Sequence, residues 1–266
     1  MNWIEIVLLG IIQGLTEFLP VSSSGHLVVA SAIMVALGGT PPPELLELEI
    51  CLHLGTLLAI LIYYRERIFR LLGQDRRVLG LLAIGTLPAV GVVLGLAAFD
   101  SDAGVLHDPL VAGPMFLVTA GLLIAASRCP AGDTDYTQMT WKQALCIGLF
   151  QGIAILPGIS RSGATITAGL LVGVRRDSAT TFSFLLAIPA IGGAGVLEGL
   201  KALQRSSTAT PLEELLLGTF VSFLVGLAAL HWMVQIVAKG RVNYFALWLI
   251  PFGIAVTAWQ ISNRFF

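Results

Sequence analysis

The sequence predicts an all-α protein that crosses a membrane several times. Hydrophobic residues make up 56% of its 266 residues, charged residues make up only 12%, and the mean hydropathy is +0.88. Soluble domains carry about 25% charged residues, which excludes a soluble module with one membrane anchor. Two polar segments interrupt apolar stretches, and the helices on either side of each interruption are too short to span the membrane. We therefore expect one membrane domain, residues 1–266, with halves of approximately 1–130 and 131–266.

Six apolar stretches are long enough to cross a hydrocarbon core about 30 Å thick, which takes about 20 helical residues. They are residues 46–64, 78–99, 109–127, 179–199, 212–238 and 243–262. The first 20 residues lack a basic segment and a small-residue cleavage site, so no signal-peptide cleavage is expected. The cysteines lie far apart without metal-ligand spacing, and we interpret all three as small apolar residues.

Two further regions are apolar but do not fit single spans. Residues 3–19 end at a proline, and residues 26–38 would form a helix only about 20 Å long at 1.5 Å per residue. Residues 143–156 and 164–174 repeat this arrangement around the second break. The sequence thus predicts two re-entrant helical hairpins, each with a polar break at its tip, in addition to about six transmembrane helices.

The two breaks are similar to each other. The first runs from Gln13 to His26 and the second from Gln151 to Thr165, an offset of 138 residues between the two glutamines. Each begins with a Gln-Gly pair, reaches a proline, and ends in a serine-rich turn closed by glycine. Polar breaks inside a membrane are costly and usually line a cavity.

Basic residues predict the orientation. The loop after the first full span contains five arginines and is expected on the cytoplasmic side: Arg65, Arg67, Arg70, Arg76 and Arg77. Alternating the spans from this loop leaves eleven basic residues inside and three outside. Both termini are then outside, the first hairpin opens outward, and the second opens to the cytoplasm. The halves have opposite orientations, which predicts an inverted repeat with a site near the bilayer midplane.

The chemistry at the two tips suits an anion. Serines followed by glycine after a helix-breaking proline can cap a half-helix, whose free N–H groups and positive dipole end attract phosphate. Arg161 adds a planar fork of donors. Glu17 lies one helical turn after Gln13, where it could hold a divalent metal or transfer a proton. His26 is in the first turn of its half-helix, which favours a neutral imidazole that could act as base for Ser23 or as nucleophile.

Plainer interpretations stay open at this point. Glu17 and Arg161 could form only a buried ion pair that fastens the hairpins together. The serines could serve only as helix caps and packing residues. His53 and His231 lack polar company in the sequence and are expected to be structural, and Glu49 is a weak candidate for a supporting role.

These residues carry a resemblance to the undecaprenyl-diphosphate phosphatase family, the bacitracin-resistance type of membrane phosphatase. The first family motif corresponds to Gln13, Glu17, the Pro20–Ser24 stretch and His26. The second, Pro-Gly-x-Ser-Arg-Ser-x-x-Thr, is matched in full by Pro157, Gly158, Ser160, Arg161, Ser162 and Thr165. The first motif has Gln at position 13, where other members have Glu or Gln. The similarity extends over nearly the whole chain.

The resemblance implies hydrolysis of undecaprenyl diphosphate to the monophosphate, which recycles the lipid carrier of cell-wall polysaccharide and gives resistance to bacitracin. It implies a bacterial inner-membrane protein with a periplasmic site, a lipid substrate, no nucleic-acid partner, and a divalent cation, Mg²⁺ or Ca²⁺, at Glu17 and Gln13. A homodimer is one assembly to consider. The catalytic candidates are Glu17, Ser23, His26 and Arg161; the candidates for diphosphate binding are Ser22, Ser24, Gly25, Ser160, Ser162, Gly163 and Thr165.

We expect Ser23, assisted by His26, to attack the terminal phosphorus while Arg161 stabilises the equatorial oxygens. Attack by His26 itself, or by a water that it activates, is the alternative. A different class of function is a transporter or flippase for an anionic or lipid-phosphate substrate, because inverted repeats with broken helices are typical of transporters. A carrier needs the arginine and the helix dipoles but no nucleophile, so the Ser, His and Glu set distinguishes the two classes.

Overall fold

The computed structural model describes residues 3–36, 45–98, 103–130, 132–203 and 211–265. Parts of several expectations lie outside these ranges: residues 37 and 38 of the second predicted helix, residue 99 of the second predicted span, and Arg205, one of the three basic residues expected outside. The described ranges form eleven α-helices and two short 3-10 turns. The expectation of an all-helical fold is confirmed.

The first half contains six α-helices. They are α1 (Trp3–Phe18), α2 (Ser23–Ala36), α3 (Leu45–Tyr63), α4 (Arg65–Leu72), α5 (Arg76–Ala98) and α6 (Pro109–Arg128), with a 3-10 turn at Ala103–His107 before α6. The second half contains α7 (Trp141–Ile153), α8 (Arg161–Leu171), α9 (Arg176–Leu203), α10 (Leu212–Ala238) and α11 (Ala246–Phe265), with a 3-10 turn at Val242–Phe245 before α11. Helices α1 and α2 form the first predicted hairpin, and α7 and α8 form the second.

Several helices have the length and composition of membrane spans. Within the described ranges, α5, α6, α9, α10 and α11 are each long and apolar enough to cross a bilayer. Helix α3 continues into α4 across a bend of 74°, so the two together make up to a sixth candidate span. The chain is therefore a polytopic membrane protein, and the predicted full-length stretches coincide with these helices to within a few residues.

Helix α4 is a departure from the prediction, which treated its residues as a loop. Its sequence is amphipathic: Leu71 is buried against the protein, whereas Phe69 is 72% exposed at the surface. Tyr64 lies at the bend and packs against Phe184, with 6.2 Å between ring centroids. Gly73 follows the last turn and ends the helix.

The two hairpins pack closely against long helices. Helix α1 packs against α10, and α7 packs against α5. A Cβ atom at Gly14 would lie 2.8 Å from the carbonyl oxygen of Ser222, and one at Gly148 would lie 2.5 Å from that of Gly85. Small residues allow helices in a membrane to approach closely, so these glycines allow each hairpin to pack directly against a long helix.

Candidate active site

Each hairpin tip ends in a serine that caps the next helix. Ser22 Oγ accepts a hydrogen bond from the Gly25 N–H at 3.3 Å, and Ser160 Oγ accepts one from the Gly163 N–H at 3.1 Å. An N-cap side chain commonly accepts from the third N–H of its helix. The capping predicted from the serine-glycine pattern is thus confirmed at both tips. Helix α2 consequently begins at Ser23 and α8 begins at Arg161.

The two tips meet each other inside the protein. A Cβ atom at Gly25 would lie only 2.7 Å from the backbone nitrogen of Gly158. Thr119, in α6, fixes the second tip, because its hydroxyl donates to the Gly158 carbonyl at 2.7 Å and accepts from the Ser160 N–H at 3.0 Å. Nothing in the sequence singled out Thr119, since a lone threonine in an apolar helix has many structural uses.

Glu17 lies between the first residues of the two half-helices. Its Oε1 accepts a hydrogen bond from Nη2 of Arg161, and its Oε2 accepts one from the Ser23 hydroxyl at 2.7 Å. The Gln13 amide also donates to Oε2, at 3.1 Å. The ion pair considered from the sequence is therefore present, but it includes Ser23 as a third member.

These three side chains border an open space. Glu17, Ser23 and Arg161 line a cavity of about 410 Å³, whose other walls include the apolar residues Ile155 and Ile191. Nη1 of Arg161 is buried and has no hydrogen-bond partner among the residues that the structure describes. A buried donor without a partner is costly, and a phosphate oxygen is a suitable acceptor for a guanidinium. The cavity can therefore take an anion that reaches both Ser23 and Arg161.

His26 lies in a different place from the one expected. Its Nδ1 is 2.8 Å from the Ser22 carbonyl oxygen, and its Nε2 accepts a hydrogen bond from the indole N–H of Trp248 at 3.1 Å. An indole nitrogen only donates, so Nε2 carries no proton and the imidazole is neutral. The ring also stacks on Phe252, with centroids 4.9 Å apart. The described contacts of His26 do not include Ser23, whose hydroxyl instead bonds Glu17.

Two residues of α3 line the cavity, although the motifs alone did not predict a role in the site for His53 and predicted only a weak one for Glu49. Glu49 and His53 both line it, and Nε2 of His53 is 3.7 Å from Oε2 of Glu17. Nδ1 of His53 is 2.7 Å from the backbone oxygen of Glu49, which orients the ring. The expectation of a purely structural His53 overlooked one signal: the spacing of four residues puts Glu49 and His53 on one helical face, as with Gln13 and Glu17.

Of the residues expected to bind diphosphate, some line the cavity or the small space at the hairpin tips, and others do not. Ser24 lines the cavity. The hydroxyls of Ser22 and Ser160 border a small space of about 40 Å³ at the tips, but both are engaged in capping. The N–H groups of Gly25 and Gly163 are the donors of those same caps.

Ser162 and Thr165 do not reach the cavity. Ser162 is buried and its hydroxyl lies 3.2 Å from that of Ser160. Thr165 is fully buried, donates to the Arg161 carbonyl at 2.7 Å, and lies 2.6 Å from the Ser183 hydroxyl. Thr165 thus links α8 to α9, and Ser162 lies beside the cap of α8, which differs from the predicted contact with substrate.

The predicted metal ligands do not fit a preformed cation site. Both oxygens of Glu17 already accept hydrogen bonds from protein donors. Gln13 turns its amide nitrogen toward Glu17, and its Oε1 is buried without a described partner. Within the described ranges, no three His, Cys, Asp or Glu side chains are grouped so that they could hold a metal ion. A cation at Gln13 and Glu17 would compete with Ser23 and Arg161 for the carboxylate oxygens of Glu17.

The fold and the site together define a class: a polytopic membrane protein in which two helical hairpins meet at one cavity lined by a serine, a carboxylate and an arginine. The chain belongs to the family described as bacitracin resistance protein BacA, whose model matches residues 6–255. The resemblance seen in the motifs is thereby confirmed.

Individual relatives are similar over nearly their full lengths. The chain is 47% identical over 254 residues to an undecaprenyl-diphosphatase of Rhodopirellula baltica, which covers 95% of this chain and 96% of the relative. It is 44% identical over 275 residues to an undecaprenyl-diphosphatase of Desulfatibacillum aliphaticivorans, covering 94% and 96%. It is 38% identical over 266 residues to undecaprenyl-diphosphatase 4 of Bacillus cereus, covering 100% of both.

Proposed function

We propose that this protein hydrolyses undecaprenyl diphosphate to undecaprenyl monophosphate and inorganic phosphate. The observation that carries the proposal is a cavity lined by Ser23, Arg161 and Glu17, in which the serine and the arginine both donate hydrogen bonds to Glu17. A nucleophile, a base and an anion donor are what phosphoryl transfer requires. We infer the undecaprenyl part of the substrate from the relatives, which are named undecaprenyl-diphosphatases.

The first chemical step would occur at Ser23. Its hydroxyl gives its proton to Glu17 Oε2, 2.7 Å away, as Oγ forms a bond to the terminal phosphorus. The bond from this phosphorus to the bridging oxygen breaks, and the lipid monophosphate leaves with the electron pair. Arg161 keeps Nη2 on Glu17 and turns Nη1 to the equatorial oxygens, where negative charge is stabilised in the transition state.

The second step would remove the phosphoryl group from Ser23. Glu17 first passes its proton to the departing lipid phosphate, and then takes a proton from a water that attacks the phosphoserine. Inorganic phosphate leaves, and Ser23 regains its proton from Glu17. His26 is less suited to attack phosphorus, because its Nε2 accepts the Trp248 N–H. We assign it to positioning the start of α2.

We further propose that the two halves form an inverted repeat with two re-entrant hairpins. Helix α1 packs on α10 as α7 packs on α5, and Ser22 and Ser160 cap their helices alike. The distribution of basic residues supports both termini outside, and the resemblance to the phosphatase family supports a site that opens outward. Labelling tests this orientation in a chain without its native cysteines. Gln74→Cys should react only from the cytoplasmic side and His107→Cys only from outside; reversed labelling would overturn it.

A divalent cation is proposed to arrive on the diphosphate of the substrate. The engaged oxygens of Glu17 support this route over a preformed site at Gln13 and Glu17. The cation would neutralise phosphate charge, as Mg²⁺ bound through substrate phosphates does. We propose a bacterial inner-membrane location and a role in recycling the cell-wall lipid carrier. A homodimer stays a prediction.

Phosphate release by purified protein tests the activity. In detergent micelles, without any membrane gradient, the protein should release inorganic phosphate from undecaprenyl diphosphate, and Ser23→Ala should not. A transporter or flippase would bind the lipid under these conditions and release no phosphate, so that outcome would replace the phosphatase with the alternative class.

A further inference from the structure

An apolar groove of about 910 Å³ runs along the outside of the second hairpin. One wall is α5, which contributes Pro88, Gly91 and Val92, and the opposite wall is α7, which contributes Leu149 and Ile153. The 3-10 turn before α6 closes one end. The catalytic cavity is lined by Glu17, Ser23 and Arg161, whereas the described residues that line the groove include no charged side chain.

The groove exists because α5 and α7 separate along their length. At Gly148 the helices nearly touch, since a Cβ atom there would lie 2.5 Å from the Gly85 carbonyl oxygen. One turn later α5 and α7 are farther apart, because a Cβ atom at Gly152 would lie 3.4 Å from the Pro88 carbonyl. Beyond this point Gly91 has no side chain to fill the gap between the two helices, and the groove opens there.

The groove and the catalytic cavity share a wall. Ile155, in the turn after α7, lines both of them. Its neighbour on one side, Ala154, lines the catalytic cavity, and its neighbour on the other side, Leu156, lines the groove. A molecule with a charged head and a long apolar chain could therefore lie across Ile155 with each part in matching surroundings.

We propose that this groove binds the polyprenyl chain of the substrate while its diphosphate occupies the catalytic cavity. The inference rests on the proposed function and adds the subsite for the isoprenoid tail. Lipid tails are as apolar as the groove, so binding gains little from the hydrophobic effect. The groove acts by shape: it holds the first isoprene units in one direction, so that the terminal phosphorus faces Ser23.

A substitution that fills the groove tests this inference. A Cβ atom at Gly91 would meet no atom within 4 Å, so the ring of Gly91→Phe would stand in the groove without a backbone clash at Cβ. Gly121→Phe, at the surface of α6, is the matched control, because a Cβ atom there also meets nothing within 4 Å. Leu149→Trp narrows the groove from the opposite wall. It serves as a second, independent variant in case Gly91→Phe does not fold.

Two substrates distinguish binding of the polyprenyl tail from binding of the diphosphate. They are undecaprenyl diphosphate and isopentenyl diphosphate, which has a single isoprene unit. Gly91→Phe and Leu149→Trp should lower kcat/KM for undecaprenyl diphosphate at least about tenfold, mainly through KM, a typical effect of altered apolar fit. Both should stay within about twofold of wild type on isopentenyl diphosphate, since its diphosphate contacts are unchanged. Gly121→Phe should change neither value.

Two outcomes would overturn the tail subsite. Equal losses on both substrates would mean that the substitutions disturb the catalytic cavity. No loss on either would mean that the groove holds ordinary membrane lipid. Failure of the proposed function looks different, because the wild-type protein would then release no phosphate from either substrate.

Discussion

Ser22 of the first hairpin accepts a hydrogen bond from the backbone N–H of Gly158 in the second, with 3.1 Å between Oγ and N. Both residues have a positive φ, 71° at Ser22 and 93° at Gly158. The same Ser22 oxygen also caps α2. Thus one hydroxyl ends the turn of the first tip and holds the second tip against it, which fixes the distance between Ser23 and Arg161.

Gly158→Ala should destabilise the protein strongly. An L side chain at a positive φ costs about 1–2 kcal/mol, and overpacking adds about 1–3 kcal/mol, because the Cβ atom would lie 2.3 Å from the Ala112 carbonyl oxygen. Gly173→Ala is the control: it has a φ of 80° but no atom within 4 Å of its Cβ atom. Thermal unfolding in detergent should rank Gly158→Ala clearly below Gly173→Ala; equal midpoints would contradict the interlocked tips.

Ser23→Ala should reduce kcat at least about 1,000-fold, as expected when a nucleophile is removed. Binding of the diphosphate should persist, since Arg161 and the helix dipoles remain. Ser127→Ala is the control, because its hydroxyl bonds the Ile124 carbonyl of its own helix. Rapid quenching of the wild-type reaction should trap phosphate on Ser23. Phosphate trapped on His26 in its place would move the nucleophile to that histidine.

Arg161→Lys should lower kcat/KM at least about 100-fold. A lysine keeps the charge but cannot hold Glu17 and a phosphate oxygen through two separate nitrogens. Arg264→Lys, in a surface pair with Asp108, serves as the control and should retain full activity. Steady-state phosphate release measures both variants. Near-normal turnover in Arg161→Lys would reduce position 161 to an ion-pair partner of Glu17.

Glu17→Gln should remain impaired at every divalent-ion concentration. Its carboxylate bonds protein donors in the structure, so its loss removes a base and leaves the Ser23 proton without an acceptor. Titration with Mg²⁺ and Ca²⁺, with activity and metal affinity measured in parallel, checks this. Recovery of activity at high ion concentration would identify Glu17 as a metal ligand, because a weakened site refills at higher concentration.

His26→Ala and Trp248→Phe should differ in severity. His26→Ala removes the ring that stacks on Phe252 and the contact of Nδ1 with Ser22, so the start of α2 loosens and kcat falls. Trp248→Phe keeps an aromatic ring and removes only the donor to Nε2. It should stay within about tenfold of wild type, the scale of one hydrogen bond. Equal losses in kcat would show that the Nε2 bond itself is required.

Local rules predicted the helices and the tips well. Membrane spans follow from length and apolar composition, and a serine before a helix follows from the need to satisfy its first N–H groups. Ser22 and Ser160 cap their helices as that reasoning requires. Helix α4 was missed because charged arginines suggested a loop, whereas Leu71 packs one face of a helix onto the protein.

Contacts between distant segments were harder to predict. The sequence pairs His26 with Ser23 through closeness in the chain, but helical geometry turns the ring toward Trp248, 222 residues away. His53 approaches Glu17 only because α3 packs beside α1. Thr165 matches a family motif, yet its hydroxyl faces Ser183. A motif specifies which residues are present, while tertiary packing decides which atoms meet.

Ser23 and Arg161 are each the first residue of their half-helix. Glu17 is therefore flanked by the starts of two helices, one of which presents a hydroxyl and the other a guanidinium. Under the proposed function, the terminal phosphate meets a hydroxyl on one side of Glu17 and a guanidinium on the other. Two equivalent backbone positions thus supply two different functions: a group that can be joined to phosphorus at Ser23, and a fixed positive charge at Arg161.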